Sequence, residues 1–218
     1  MKNSKLRRIL LTLACAVLLV SLSVGATLAY LTSKTNVVTN TFSVGNVNIT
    51  LDEAPVDADG KKVTGDRVMA NSYKLLPGHD YDKDPTVHVG ATSEECYLFV
   101  KVENGIAAIE VPYVKTTTAE DGTVTETVLG TIAQQMDANG WKALDTVKYP
   151  GVYYLDVTKT AGQDAVVFEN FAITGTLDNT ALAVYNGATV TVQAYAVQKD
   201  GFDSAPLAYE SAPCTWGN

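Results

Sequence analysis

From Thr41 onward, β-branched and aromatic residues alternate with polar ones, and Gly, Asn or Asp recurs every dozen residues or so. This pattern is typical of strands that place one face in a core and are joined by turns. The run from Thr189 to Gln198 alternates strictly, and no internal repeat or helical-bundle pattern interrupts the series. The chain is therefore predicted to be all-β, and roughly eight strands favour a two-sheet β-sandwich or jelly roll.

The individual strands differ in how deeply they should be buried. Tyr97 to Val102 is continuously apolar, which predicts a central strand covered on both faces. Asp59-Gly60 predicts a tight hairpin turn. The remaining strands are predicted at Phe42 to Leu51 with a slip at Gly45-Asn46, at a segment ending in Leu75-Leu76-Pro77-Gly78, from Thr86 to Val89, from Gly151 to Val157, from Ala165 to Ile173 and from Thr189 to Gln198.

Residues from about 106 to 148 are predicted to be an insertion into the sandwich. Pro112 to Val128 is Thr-rich and predicts a solvent-facing hairpin that turns at Asp121-Gly122. One short helix should follow, because apolar and amide side chains recur at helical spacing before a stop at Asn139-Gly140. Trp141 and Leu144 are predicted to close the end of that helix against the core.

Residues 1–29 are expected to be a secretory signal peptide. Four basic residues precede an uncharged apolar stretch from Ile9 to Leu22, and the small residues of Thr27-Leu28-Ala29 suit a signal peptidase. The predicted cut lies between Ala29 and Tyr30. The alternative is an uncleaved anchor, since Ile9 to Ala29 is long enough to cross a bilayer core of roughly 30 Å.

Residues 30–218 would then form a single secreted β-sandwich domain. The leader holds four of the 16 basic residues and none of the 24 acidic ones, so the mature chain has a net charge of −12. Such a surface repels nucleic acid and anionic lipid, so neither is expected as a partner, and membrane contact is expected only for the precursor.

Two cysteines remain in the mature chain, Cys96 and Cys214, because Cys15 lies in the leader. Outside the cytoplasm an even pair can close a disulfide. Two buried free thiols are the alternative, and the sequence leaves both open.

Catalytic chemistry has little support in the sequence. There are two histidines, and no zinc-protease, nucleophile-elbow, phosphate-loop or paired-cysteine motif. The best candidate ligand set for zinc or calcium is His79, Asp80, Asp82, Asp84 and His88. The same residues also suit a polar loop entering a strand without any ligand. We therefore predict no catalytic residues, no bound metal and no cofactor.

Several segments together resemble the TasA/camelysin family of exported biofilm-matrix proteins of Gram-positive bacteria. These segments are the junction Gly25-Ala26-Thr27-Leu28-Ala29-Tyr30-Leu31-Thr32, then Asn40-Thr41-Phe42-Ser43-Val44-Gly45-Asn46-Val47, Leu76-Pro77-Gly78, the run from Cys96 to Val102, Gly140-Trp141, Tyr153-Tyr154, and the run from Thr191 to Gln198. His79 departs from the family, which more often has Asp after this Pro-Gly.

The resemblance implies a jelly-roll fold, processing by a dedicated signal peptidase, and self-association into extracellular fibres by N-terminal strand addition. The segment that cleavage would free is β-prone and contains no Pro or Gly. It could therefore pair with an open sheet edge or within its own sheet. This assembly strand consists of Tyr30, Leu31, Thr32, Ser33, Lys34, Thr35, Asn36, Val37, Val38 and Thr39.

Two other functions stay open at this point. The camelysin side of the family implies a secreted metalloendopeptidase, and a monomeric surface adhesin is the third alternative.

Overall fold

The computed structural model describes residues 3–30 and 45–216, which fall in two compact units, Met1–Ser43 and Val44–Asn218. The first unit contains helix α1 (Asn3–Tyr30), and the predicted cleavage junction falls at its C-terminal end. Among the described residues, no helix has the combination of length and apolar character needed to cross a membrane. The predicted assembly strand beyond Tyr30, residues 31–39, lies outside the described residues, as do Phe42 and Val44.

The second unit is an all-β, sandwich-like fold, as predicted. Its strands in chain order are β1 (Ile49–Asp52), β2 (Asp80–Asp82), β3 (Thr86–Val89), β4 (Cys96–Asn104), β5 (Glu110–Val111), β6 (Tyr113–Thr118), β7 (Val124–Gly130), β8 (Trp141–Asp145), β9 (Tyr149–Leu155), β10 (Asp164–Val166), β11 (Asn170–Ile173) and β12 (Val190–Gln198). Three short helices accompany them: α2 (Ile132–Ala138), α3 (Asn179–Ala183) and α4 (Ala205–Ser211).

All strand pairs are antiparallel. Two three-stranded sheets have the orders β1-β3-β10 and β2-β11-β5, and a four-stranded sheet has the order β12-β4-β9-β8. Strands β6 and β7 form a separate two-stranded ribbon. The main core contains buried residues of β2, β3, β10 and β11 together with those of β4, so the small sheets face the larger one across it.

Strand β4 is buried on both faces, which confirms its predicted central position. Leu98, Val100 and Val102 point into the main core, while Tyr97 and Phe99 belong to a second cluster on the other face of the sheet. Helix α4 covers that second cluster with Ala208 and Tyr209, both almost fully buried. Because successive strand residues face opposite sides, β4 contributes to two cores at once.

The hairpin and the short helix predicted within residues 106–148 are both present, while β5 and β8 in the same stretch belong to the larger sheets. The ribbon β6–β7 turns at Asp121-Gly122, and its residues 114–128 are exposed. Helix α2 begins with a capping box between Thr131 and Gln134 and ends before Gly140, whose φ of 88° favours glycine. Trp141 is 2 % exposed, and its indole N–H donates to the Val166 carbonyl at 2.8 Å. It belongs to the main core, whereas Leu144 packs in the second cluster.

Three predicted strands were wrong in extent. Within residues 45–52 the first strand begins at Ile49, and residues 45–48 pair through single hydrogen bonds such as Gly90 N–H to the Asn48 carbonyl at 2.8 Å. The residues before Pro77 are not in a strand. The predicted strand from Ala165 to Ile173 is two strands, because the chain crosses between sheets at residues 167–169. The predicted turn at Gly60 is confirmed, with φ of 73° and its N–H bonded to the Asp57 carbonyl at 3.0 Å.

The structure contains free thiols at both Cys96 and Cys214. Cys96 is fully buried in the main core, while Cys214 packs in the second cluster on the opposite face of β4. Burial raises the pKa of the Cys96 thiol to about 11, and the charge of Glu95 acts in the same direction.

Candidate functional site: an open groove at the sheet edges

A groove with a volume of about 1040 Å³ runs along one side of the sandwich. We call it the edge groove, because β1 and β12 each stand at the outside of a sheet and both line it. These two strands also come within 8 Å of each other between Cα atoms. The walls are formed by residues 51–53, by the irregular segment 69–75, by α3 with the turn behind it, and by residues 188–192.

The apolar lining of the edge groove is continuous with the main core. Ile106 and Phe171 are buried core residues that reach its floor. Above them lie apolar side chains that pack against the core on one side and stay partly exposed on the other: Leu51, Tyr73, Leu75, Leu182, Tyr185, Val190 and Val192. The core is therefore open to solvent along this edge, and covering these side chains would remove further apolar area from water.

Tyr73 anchors the irregular wall of the groove. Its ring packs edge-on against Tyr81 and Phe171, with ring centroids 5.9 and 5.3 Å away. Its hydroxyl donates to the Asp82 carbonyl at 2.9 Å. Burial raises the pKa of the Tyr73 phenol, and the negative charge of Glu53 adds to the effect. The phenol is therefore a neutral donor that fixes this wall to β2.

A buried ion pair closes the polar end of the groove. The side chains of Glu53 and Lys83 are 4 % and 11 % exposed and form a salt bridge. Asn71 donates to a Glu53 carboxylate oxygen at 3.0 Å and to the Ala54 carbonyl at 2.8 Å, and its own oxygen accepts from the Val56 N–H at 3.2 Å. Through these three hydrogen bonds, Asn71 holds the segment 69–75 against the residues that follow β1.

Each of the two groove-lining edge strands has a single partner strand within the described residues. Among residues 45–216, β1 pairs with β3 alone and β12 pairs with β4 alone. An edge strand presents a row of backbone N–H and C=O groups that another extended segment can use. Strand β12 is nine residues long, about 30 Å, and its first three residues line the groove.

The residues predicted as a potential metal set are dispersed by the fold. Asp80 pairs with Lys61, while Asp82 accepts from the Lys62 N–H at 2.8 Å and from Asn170 at 3.0 Å. His79 packs near the Tyr81 ring instead. Within the described ranges, no three His, Cys, Asp or Glu side chains are grouped so that they could hold a metal ion.

Asp84 and His88 have partners of their own. Asp84 accepts from the Ala54 N–H at 2.6 Å and forms salt bridges with Lys62 at 2.6 Å and Arg67 at 3.2 Å. Burial acts to raise the pKa of Asp84, but these hydrogen bonds and the charge of Arg67 outweigh it and lower the pKa. His88 lies between two other carboxylates on the outward face of the β1-β3-β10 sheet.

Sequence reasoning did not identify the edge groove. Its residues come from six separated stretches, and the segment 69–75 has no regular structure that a pattern could reveal. One local signal was available for α3, since Asp178 precedes the Ala-Leu-Ala run and caps the helix by accepting from the Ala181 N–H at 2.8 Å.

No family model, curated protein or solved structure matches this chain.

Proposed function

We propose that this chain is exported, is cleaved between Ala29 and Tyr30, and serves as a structural subunit of a cell-surface or biofilm-matrix fibre. In this proposal, the segment Tyr30–Thr39 of one copy adds as a strand along the edge groove of the next. The resemblance to the TasA/camelysin family motivates the proposal. The observation that carries it is the edge groove itself, where the main core is open beside two edge strands.

The proposed donor matches β12 in length and the groove in chemistry. Tyr30 to Thr39 contains ten residues, close to the nine residues of β12. Main-chain hydrogen bonds to the β12 edge would supply affinity, and alternate side chains would enter the groove. Leu31 and Val37 would lie on the same face of an extended strand, so that face of the donor can cover apolar groove residues. Export agrees with the acidic mature chain and its basic, apolar leader.

The direct test is filament formation by residues 30–218, followed by electron microscopy and sedimentation. Deleting Tyr30 to Asn36 should abolish filaments without unfolding the domain, because the core residues in the described part of the chain all lie beyond that segment. Filaments that persist after the deletion would refute strand addition.

A second test separates the groove from the rest of the surface. Met69 lines the groove and is 82 % exposed, so Met69→Arg should leave the fold intact while placing a charge where the donor enters. Val147, 91 % exposed at the β8–β9 turn, gives the matched control Val147→Arg. We expect fewer or shorter filaments from the first variant alone. Equal effects of both variants would argue against the groove as the acceptor.

The peptidase alternative has a separate test. We expect purified residues 30–218 to leave casein intact and to be indifferent to chelators. Casein cleavage that is lost on His79→Ala would overturn the structural assignment. The adhesin alternative predicts a secreted monomer by mass measurement at concentrations where the proposal predicts filaments.

A further inference from the structure

The outward face of the β1-β3-β10 sheet has a histidine between two carboxylates. His88 lies in the middle strand β3, and its register partners are Thr50 on β1 and Asp164 on β10. Its Nδ1 is 2.7 Å from a carboxylate oxygen of Asp164, and its Nε2 is 2.9 Å from one of Asp52. Asp52 is two residues beyond Thr50, so it lies on the same face of β1. One imidazole therefore connects all three strands.

We propose that His88 is a proton-dependent clamp, charged in the folded protein, that holds β1 and β10 to β3 and releases them when it loses its proton. A neutral imidazole has one N–H, so it can donate to only one of two carboxylates. Its second nitrogen would then point a lone pair at a carboxylate oxygen within hydrogen-bond distance. Only the imidazolium can donate to both carboxylates in this geometry.

The charged residues around His88 favour its protonated form. On the β1 side, Asp52 also forms a salt bridge with Arg67, and Arg67 pairs in turn with Asp84. Asp84 has a further partner in Lys62, and on the β10 side the facing charge is Asp164. Three carboxylates thus face three cations when His88 is protonated. Loss of that proton leaves the network one positive charge short.

The direction of the pH effect follows from these contacts. Burial acts to lower the pKa of His88, but the hydrogen bonds and charges of Asp164 and Asp52 outweigh it and raise the pKa above the ordinary value. A group with a raised folded pKa stabilises the fold fully below its unfolded pKa, and the stabilisation is lost as pH rises through the folded value. The sheet should therefore be most firmly held in mild acid and should loosen above neutrality.

The test measures unfolding of the full chain by urea at about pH 5.5 and about pH 8.5, a window in which histidine is the main titrating side chain. We expect the unfolding equilibrium constant of the wild type to rise severalfold between the two. His88→Gln should abolish that rise. The control is His79→Gln, which removes the other histidine of the chain and should behave as the wild type does.

A second measurement needs no disruptive variant. The ring protons of His88, followed by NMR in the full chain, should titrate above about 6.5, the ordinary value for histidine. Asp164→Asn should lower that midpoint, and the variant should fold because the Asp164 side chain is 58 % exposed. A His88 midpoint at or below the ordinary value, or a pH effect that survives in His88→Gln, would overturn the proposal. This inference does not depend on fibre assembly.

Discussion

Removing Lys83 should destabilise the protein far more than removing a surface lysine. The Lys83 and Glu53 side chains are 11 % and 4 % exposed, and the ammonium also lies 6.0 Å from the centre of the Tyr73 ring. Breaking such a buried pair leaves an uncompensated charge, which costs about 3–5 kcal/mol. We therefore expect Lys83→Met to lower the free energy of unfolding by about that amount.

The assay is urea unfolding followed by tryptophan fluorescence, completed as a double-mutant cycle. The double variant Glu53→Leu with Lys83→Met should recover most of the loss, because a buried ion pair can often be replaced by apolar side chains at little cost. The matched control is Lys142→Met, whose pair with Asp156 has side chains 53 % and 55 % exposed and should contribute only about 0–1 kcal/mol. A Lys83→Met loss no larger than that of Lys142→Met would refute the reasoning.

Three further predictions concern the core, the thiols and the ribbon. Trp141→Ala should lower the free energy of unfolding, measured by urea titration, by about 3–5 kcal/mol. The indole is 2 % exposed, and the variant loses both its packing and its hydrogen bond. A loss below about 1 kcal/mol would contradict the core position of Trp141. Thiol labelling of folded residues 30–218 should modify Cys214 well before Cys96, because Cys96 is fully buried and its pKa is raised to about 11. Equal labelling rates for the two thiols would contradict this prediction. Replacing residues 114–128 by a short turn should change the unfolding free energy by less than about 1 kcal/mol, because those residues are exposed.

The parts of the fold that local sequence determines were predicted well. The ribbon turns at Asp121-Gly122 and α2 stops at Gly140, because positive-φ glycines follow hydrogen-bonded turns at both places. The central position of β4 also followed from its continuous apolar run. In each case the relevant information lies within about ten neighbouring residues.

The parts that depend on long-range packing were not predicted. Val167 and Phe168 are both fully buried, so their apolar pattern hid the crossover between β10 and β11. Strand β8 was missed because only Trp141 on it is buried. The edge groove lies where β1 comes close to β12, and no local pattern encodes that approach. The segment proposed to fill it lies, beyond Tyr30, outside the described residues.

An electron cryo-microscopy structure of filaments grown from residues 30–218 would test strand addition most directly. We expect residues 30–39 of one subunit to form a strand hydrogen-bonded to the outer edge of β12 of its neighbour, with alternate side chains over Leu51 and Val192. Filaments joined through another surface, or a segment 30–39 paired within its own subunit, would contradict the proposal.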